Sequence, residues 1–424
     1  MRQERARHLV QCLCAAACQV HVGQRGPASL AAAGDRDCRR GIGMVGRHVA
    51  DTARIGCASD RDDSAIALAQ CRWNRNMKRL LGALSYRLGV LSLYHRFRNR
   101  NQLTVAMFHR VLPPSDPRYQ GADPERTMTP DSFAHCLSFF RRHYRIVSPA
   151  QVFSALKEGA PLPRHSLLVT FDNGWADTAE YAQPLMEKFS ISGLVFVAGG
   201  AINMRLPFWE AHAYSYLATH PEGRAVVEAA LAPYGIRLAP PPSQEMDELH
   251  IRSIIRQLGT LEPPVRAAIV GAMALAEDIP AAMLDADKLT HLAALSHCIG
   301  GHGFTHRPLT VVANLEEELE KSQEAIAAHL DGRPAEAMSF PQGAYSDSVI
   351  AGCLSAGYRY LFSSDACLNA VNKRFNHARP LGRIHISERA IVDQTGRVQP
   401  AMLATWLFTR PLGDSRRKNR LRKA

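Results

Sequence analysis

The chain has 424 residues, 46% of them hydrophobic, with a formal net charge of +12; it can bury a large core, and its length admits either several ordinary domains or one barrel. The charge sits at the ends: residues 1–76 carry twelve Arg, no Lys and seven acids, residues 77–101 carry six Lys or Arg and no acid, and residues 410–424 carry seven bases against Asp414, which leaves residues 102–409 at −5. A mildly acidic body argues against a nucleic-acid groove, and no run of about 18 apolar residues reads as a membrane-spanning helix.

Residues 1–76 lack Phe and Tyr and hold six of the ten cysteines, Cys12, Cys14, Cys18, Cys38, Cys57 and Cys71, without regular metal-ligand spacing. Such a segment cannot easily offset its own ordering entropy. It is read as a disordered extension, or as an upstream start with Met77 as the natural first residue. Residues 9–20 make a poor signal-peptide core, because Gln11 and Gln19 interrupt it. The body's cysteines, Cys136, Cys298, Cys353 and Cys367, are widely scattered, which fits reduced thiols in a cytosolic protein better than a disulfide framework. The expected location is accordingly cytoplasmic, peripheral to the inner membrane.

From Met77 the texture changes. In MKRLLGALSYRLGVLSLYHRFRNRN, Leu80, Leu81, Leu84, Leu88 and Leu91 recur at helical spacing among basic residues, predicting a basic amphipathic helix over 77–101. Such a helix either covers the core of the body or lies on an anionic membrane surface. The basic tail 410–424 is a solvated end that could add to a membrane contact.

Across 102–409, apolar runs rich in β-formers alternate with helical patterns. LTVAMFHRV (103–111), SLLVTFD (166–172) and SGLVFVAG (192–199) read as buried strands, with weaker candidates at 298–303, 337–343, 358–364 and 383–386. The clearest helix is LEEELEKSQEAIAAHL (315–330). Strand and helix in turn predict parallel strands with helices outside. The stretch from about 205 to 290 contains PYGIRLAPPPSQ and LEPPV, breaks the alternation, and is read as a helical insertion.

Three polar clusters occupy predicted strand ends, where α/β folds gather functional residues. Asp172-Asn173-Gly174 follows the second strand, and Gly174 allows a turn tight enough to aim both side chains into one cavity. Read alone, this is also an ordinary turn sequence. In GGHGFTHRPL, His302 and His306 stand four apart, a spacing that can hold a divalent ion, though surface histidine pairs are common. His109 ends the first strand, where a satisfied core histidine is an equal alternative.

Together, TFDNG, HGFTH, SFPQGAYSD and GRIHI resemble, in order and spacing, the polysaccharide deacetylases of carbohydrate esterase family 4, the NodB-homology group, over roughly 103–390. MFHRV is similar to the opening of the exopolysaccharide-type branch, whose barrel begins with the strand that other members place last. The resemblance implies an α/β fold, a distorted (β/α)7 barrel with the helical insertion. It matches Asp172 to the general base, Asn173, His302 and His306 to the metal ligands, and His109 to the general acid. Arg383 falls where relatives carry an Arg beside the base, His385 is a second candidate acid, and Pro341-Gln342-Gly343 matches a turn whose backbone N–H helps hold the oxyanion. Trp175 and Trp209, with Phe208, are candidates to stack on a sugar ring, against a plain packing role.

The implied cofactor is a divalent metal ion, Zn²⁺ first and Co²⁺ or Ni²⁺ as alternatives. The implied partner is a polysaccharide or another glycan containing N-acetylhexosamine, and no nucleic acid. Hydrolysis of an N-acetyl sugar needs an activated water, a polarised carbonyl and a proton for the leaving amine, which a metal, a carboxylate and a histidine can supply. Two departures bear on activity. Asn173 stands where the family has a metal-binding Asp and offers one carbonyl oxygen without negative charge, and Gly303 stands where a Ser or Thr hydroxyl would be. The leading expectation is a metal-dependent hydrolase removing N-acetyl or O-acetyl groups from a polysaccharide or its lipid-linked precursor; the alternative is a catalytically weak or inactive carbohydrate-binding relative.

Overall fold

The computed structural model describes Met77 and residues 80–241, 246–275, 279–370 and 379–413. The expectations for residues 1–76 and for most of the basic tail therefore lie outside the described residues. Contacts divide the chain into a unit ending at Ser85 and a second from Tyr86 onward, which holds every element and site residue discussed below.

In chain order the second unit runs α1 (Val90–Arg98), β1 (Gln102–Phe108), β2 (Arg110–Val111), β3 (Thr127–Met128), α2 (Pro130–His143), β4 (Arg145–Ile146), α3 (Pro149–Glu158), β5 (Ser166–Phe171), α4 (Gln183–Lys188) and β6 (Leu194–Val197). It continues with α5 (Trp209–Thr219), α6 (Gly223–Leu231), α7 (Glu248–Gly259), α8 (Pro263–Gly271), α9 (Ala286–Ala294), β7 (Cys298–Gly301), α10 (Leu315–Ala327), β8 (Ala337–Ser339), α11 (Asp347–Ser355) and β9 (Tyr360–Ser363). The last elements are β10 (Asn369–Ala370), β11 (Leu381–Gly382), β12 (Ile384–His385), α12 (Glu388–Ile391) and α13 (Pro400–Phe408).

Parallel pairings run β1 to β5, β5 to β6, β6 to β7, β7 to β8 and β8 to β9. The ring then closes through one short segment. Leu381 and Gly382 pair in parallel with β9, whereas Ile384 and His385 pair in parallel with β1, so residues 381–385 bridge the two edges with Arg383 at the step between them. Counting that split segment once, the staves are β1, β5, β6, β7, β8, β9 and β11–β12, the seven-stranded ring expected from the resemblance. Every predicted strand is present; the closing contribution of β11 was not legible in its two residues.

Alternation along the staves separates two packing layers. Leu103, Val105, Leu168, Leu194, Phe196, Ala337, Tyr360, Phe362 and Leu381 pack together with α3 residues Val152, Phe153 and Leu156. The intervening positions, among them Phe108, Val169, Phe171, Val195, Val197 and Leu361, pack with the surrounding helices, as in the edge-to-face contacts of α2 residue Phe133 with Phe108 and Phe171. Both faces of the staves are buried, which is why they read as continuous apolar runs.

Helices α5 to α8 share a separate core of Ala213, Leu217, Val227, Leu231, Ile251, Ile254, Leu258 and Ile269. At the other end, α1 begins after Gly89, whose φ of 74° interrupts the helical course predicted for 77–101. His95 of α1 stacks on Phe408 of α13 at 4.1 Å, and Asn99 Nδ2 donates to the Phe408 carbonyl at 2.9 Å. Leu88, Leu93 and Phe97 remain exposed. No described helix is long and apolar enough to cross a membrane.

Candidate active site

The inward positions of the staves do not stop at the apolar layer. Continuing the same period of two toward the strand ends gives Val105, Met107 and His109 on β1, Leu168, Thr170 and Asp172 on β5, Gly300 and His302 on β7, Ala337 and Ser339 on β8, and Leu381, Arg383 and His385 on the closing segment. His109, Asp172, His302, Ser339 and Arg383 are all buried. Polar side chains thus replace apolar ones at the C-terminal mouth of the ring.

Asp172 and Arg383 form the centre of this layer. Arg383 donates through Nη1 to Asp172 Oδ1 at 2.5 Å and through Nη2 to Oδ2 at 2.7 Å. It also donates to Ser339 Oγ at 2.6 Å and through Nε to the Ser363 carbonyl at 3.2 Å, so four acceptors on three staves fix one fully buried guanidinium. Burial opposes ionisation of Asp172, but the charge and hydrogen bonds of Arg383, with His302 and His109 nearby, hold its carboxyl well below the usual carboxylate range.

The chain turns at Asn173, with φ of 84°, and Gly174, with φ of 81°. A Cβ on Gly174 would come within 2.9 Å of Val197 Cγ1, so glycine is required both by conformation and by space. Residues 282–284 brace the turn, since Leu284 N–H donates to the Gly174 carbonyl and Ala176 N–H to the Ala282 carbonyl, both at 2.9 Å. A π-helical turn, Thr178–Ala182, follows.

His302 Nδ1 lies 2.8 Å from the Ser339 carbonyl. A carbonyl only accepts, so Nδ1 carries the proton and Nε2 keeps its lone pair. The His302 and His306 rings stand 5.2 Å apart, and Phe208 stacks on His306 at 4.1 Å. Burial lowers the affinity of both imidazoles for a proton, and Arg126 lowers it further. His109 lies edge-on to His385 at 5.0 Å between ring centres. Burial and Arg126 push His109 well below the ordinary imidazole value and His385 down to about 4.

The structure thus brings His109, Asp172, Arg383, His385, His302 and His306 together with Asn173. Pro341, Gln342 and Gly343 form a tight 3₁₀ turn after β8, with Gln342 at φ 54°. Gly343 N–H is engaged by the Phe340 carbonyl at 2.9 Å, and Gln342 Nε2 donates to Glu210 Oε1 at 3.1 Å. Trp175 is buried beneath the Arg110 guanidinium, 4.2 Å from its ring centre, and Trp209 carries Arg266 at 4.7 Å. Asn173, Trp175, Trp209, His306 and Gln342 all line one cleft of about 490 Å³ between the strand ends and α5.

Among the described residues, no three His, Cys, Asp or Glu side chains gather as a metal-binding group. Asp172 is occupied by Arg383, so the remaining donors are two imidazoles and the Asn173 amide. Asn173 Oδ1 is buried without a hydrogen-bond partner. An orphaned buried acceptor beside two neutral imidazoles fits a divalent cation held by neutral donors, with less charge than a carboxylate would bring.

Three contributors were not read from the sequence. Glu318, on α10, accepts at Oε1 from Phe304 N–H at 2.9 Å and Thr305 N–H at 2.8 Å, clamping the loop between the two histidines. Gly303, seen in sequence as a lost hydroxyl, has φ of 70°, and a Cβ there would lie 3.1 Å from Glu318 Oε1. Ser339 orients both Arg383 and His302. No sequence signal marked Glu318, one of four acids in LEEELE, as the one that the structure buries.

Residues 159–361 match the family model described as polysaccharide deacetylase. No curated protein matches the sequence. Among solved structures, the chain is similar to IcaB from Ammonifex degensii, at 17% identity and TM-score 0.46 over 73% of this chain and 97% of that one. It is also similar to the Streptococcus pyogenes deacetylase PplD in complex with acetate, at 15% identity and TM-score 0.45 over 73% and 99%. For the BpsB deacetylase domain from Bordetella bronchiseptica the values are 18% and 0.39 over 68% and 96%.

Proposed function

We propose that the chain, whose residues 159–361 match the polysaccharide deacetylase model, hydrolyses acetyl groups, N-linked in the first instance and O-linked as the neighbouring chemistry, on a polysaccharide or its lipid-linked precursor. The observation that carries this reading is the polar layer at the strand ends, in which His109, Asp172, His302 and Arg383 come from four different staves and are all buried at the barrel mouth. The position of His109 on the first stave supports the exopolysaccharide-type branch.

His302, His306 and Asn173 would hold a divalent ion, Zn²⁺ being the natural choice for an imidazole-rich set. When bound, such an ion supplies an acidified water and a polarised carbonyl. Asp172 accepts a proton from the attacking water, and its rigid ion pair keeps one carboxylate geometry throughout. Because Arg383 stabilises the carboxylate, Asp172 is a weak base at rest and depends on an acidified donor. His109, with His385 as second candidate, delivers a proton to the leaving nitrogen. Burial and the field of Arg126 disfavour the protonated form of both imidazoles, so the proton must arrive within the catalytic cycle rather than be stored beforehand.

A second reading is favoured by the neutral donor set: a carbohydrate-binding protein that keeps the cleft without turnover. Acetate release from N-acetylglucosamine oligomers, measured with bound metal on the same purified protein, separates the two. Release that depends on metal and on Asp172 supports the hydrolase. Folded, glycan-binding protein with neither metal nor release supports the silent relative.

The location is proposed as cytoplasmic and peripheral to an anionic membrane. Exposed Leu88, Leu93 and Phe97, within a segment of basic residues and no acids, support it.

A further inference from the structure

The cleft beside the site is unusually rich in positive charge. Six arginines line it against two carboxylates, Asp123 and Glu210. Several of the six are neutralised locally, as Arg118 is by Asp116 at 2.7 Å and Glu180 at 2.5 Å. Two positions differ. Arg110 gives its Nε to Asp177 Oδ2 at 2.9 Å, but its Nη2 is buried without a hydrogen-bond partner. Beneath it the Trp175 Nε1 is also buried without one. Arg126 meets Asp123 only at 3.9 Å, with half of its side chain exposed, and its field reaches His109, His306 and His385.

A buried donor left unmade costs about 1–3 kcal/mol, and two adjacent ones within a cleft are a standing demand for an acceptor. An acetamido sugar presents hydroxyls and one carbonyl, none of them charged. A guanidinium stacked 4.2 Å from the centre of an indole, each with an unused N–H donor and both lining one cleft with a second guanidinium, matches an oxyanion far better.

We propose that the cleft holds an anionic oxygen group carried by the acetylated glycan, a phosphate or a carboxylate, on Arg110 Nη2 and Trp175 Nε1, with Arg126 contributing its charge. This rests on the deacetylase reading for the identity of the sugar, but not for the binding itself. The substrate class then narrows from any N-acetylated polymer to one bearing phosphate or uronate beside the acetylated residue.

Calorimetric titration of the full chain with N-acetylglucosamine, N-acetylglucosamine 6-phosphate and a disaccharide joining N-acetylglucosamine to glucuronate tests this. At least one charged probe should bind about tenfold tighter than the neutral sugar, the ratio that one charge-assisted hydrogen bond supplies; which one it is assigns phosphate or carboxylate. The preference should shrink with salt and in Trp175→Phe, which removes the indole donor. Arg126→Gln, at a half-exposed site that the fold does not need, should weaken it as well. Equal binding of all three probes overturns the proposal, as does a preference that survives both substitutions. Acetate release from neutral oligomers without charge preference would leave the deacetylase reading standing and remove this one. Charge-selective binding without acetate release does the reverse.

Discussion

Arg383 and Asp172 meet face to face at 2.5 and 2.7 Å although 211 residues separate them. The pair joins the second stave of the ring to its closing segment, and both partners are out of solvent. Removing one charge leaves the other buried alone, which costs about 3–5 kcal/mol. Arg383→Gln is therefore expected to lower the urea midpoint sharply, and adding Asp172→Asn should recover part of the loss. A double variant no more stable than Arg383→Gln alone would contradict this coupling.

Asn173→Asp would place a carboxylate where the orphaned Oδ1 now stands. Zinc affinity is expected to rise by tenfold or more, measured by competition with a chromogenic chelator. If acetate release climbs from near zero with it, the natural chain is a weak or silent relative. Comparable activity in both proteins would identify the amide as a working ligand.

The buried histidines set a pH dependence whose sign follows from their depressed values. An imidazole that binds protons more readily unfolded than folded contributes stability above about 6.5, and this is lost as pH falls through the folded value, about 4 for His385. Asp172 acts in a lower window, its contribution being complete above about 3.9 and declining only below that. The metal-free protein should accordingly lose stability between about pH 6.5 and 4, less steeply in His385→Asn. Urea midpoints across this range would show it, and superimposable profiles for the two proteins would argue against a neutral, buried His385.

Glu318 holds two backbone N–H groups and the Thr305 hydroxyl in the loop between the metal-ligand candidates. Glu318→Ala should cost about 2–3 kcal/mol and, more tellingly, weaken zinc binding while Asp172 remains paired. Gly303→Ala should act in the same direction, because a methyl group is strained at φ 70° and crowds the same carboxylate. Unchanged metal affinity in both variants would mean that the loop is positioned by other contacts.

Exposed Leu88, Leu93 and Phe97 flank a helix whose opposite side packs on α13. Triple substitution to Ser is expected to abolish sedimentation with vesicles containing phosphatidylserine without changing the unfolding midpoint by more than about 0.5 kcal/mol equivalent. Sedimentation that persists would assign any membrane contact to another part of the chain.

The sequence disclosed the staves because each is buried on both faces and so reads as an apolar run. It disclosed Asp172, His302, His306 and His109 because polar residues at the ends of such runs are conspicuous. It disclosed the strand at 383–386 but not how the ring closes, since β11 is only two residues long and draws its pairing from β9 rather than from propensity. Nor could it reveal the bracing role of Glu318, which looks like any acid on an amphipathic helix until its loop partner is folded against it. The break at Gly89 was hidden because glycine inside a leucine-rich period is tolerated as often as it interrupts.

Since one five-residue segment both seals the ring and delivers the guanidinium, a protein cut short before Leu381 would lose more than a stave. Its sheet would be left open along β9 and along the part of β1 around Ala106 and Met107, which β10 does not cover, ready to recruit strands from other molecules, and the aspartate at its mouth would lose the Arg383 counter-ion. Premature termination late in the gene should therefore yield insoluble material rather than a soluble, inactive fragment.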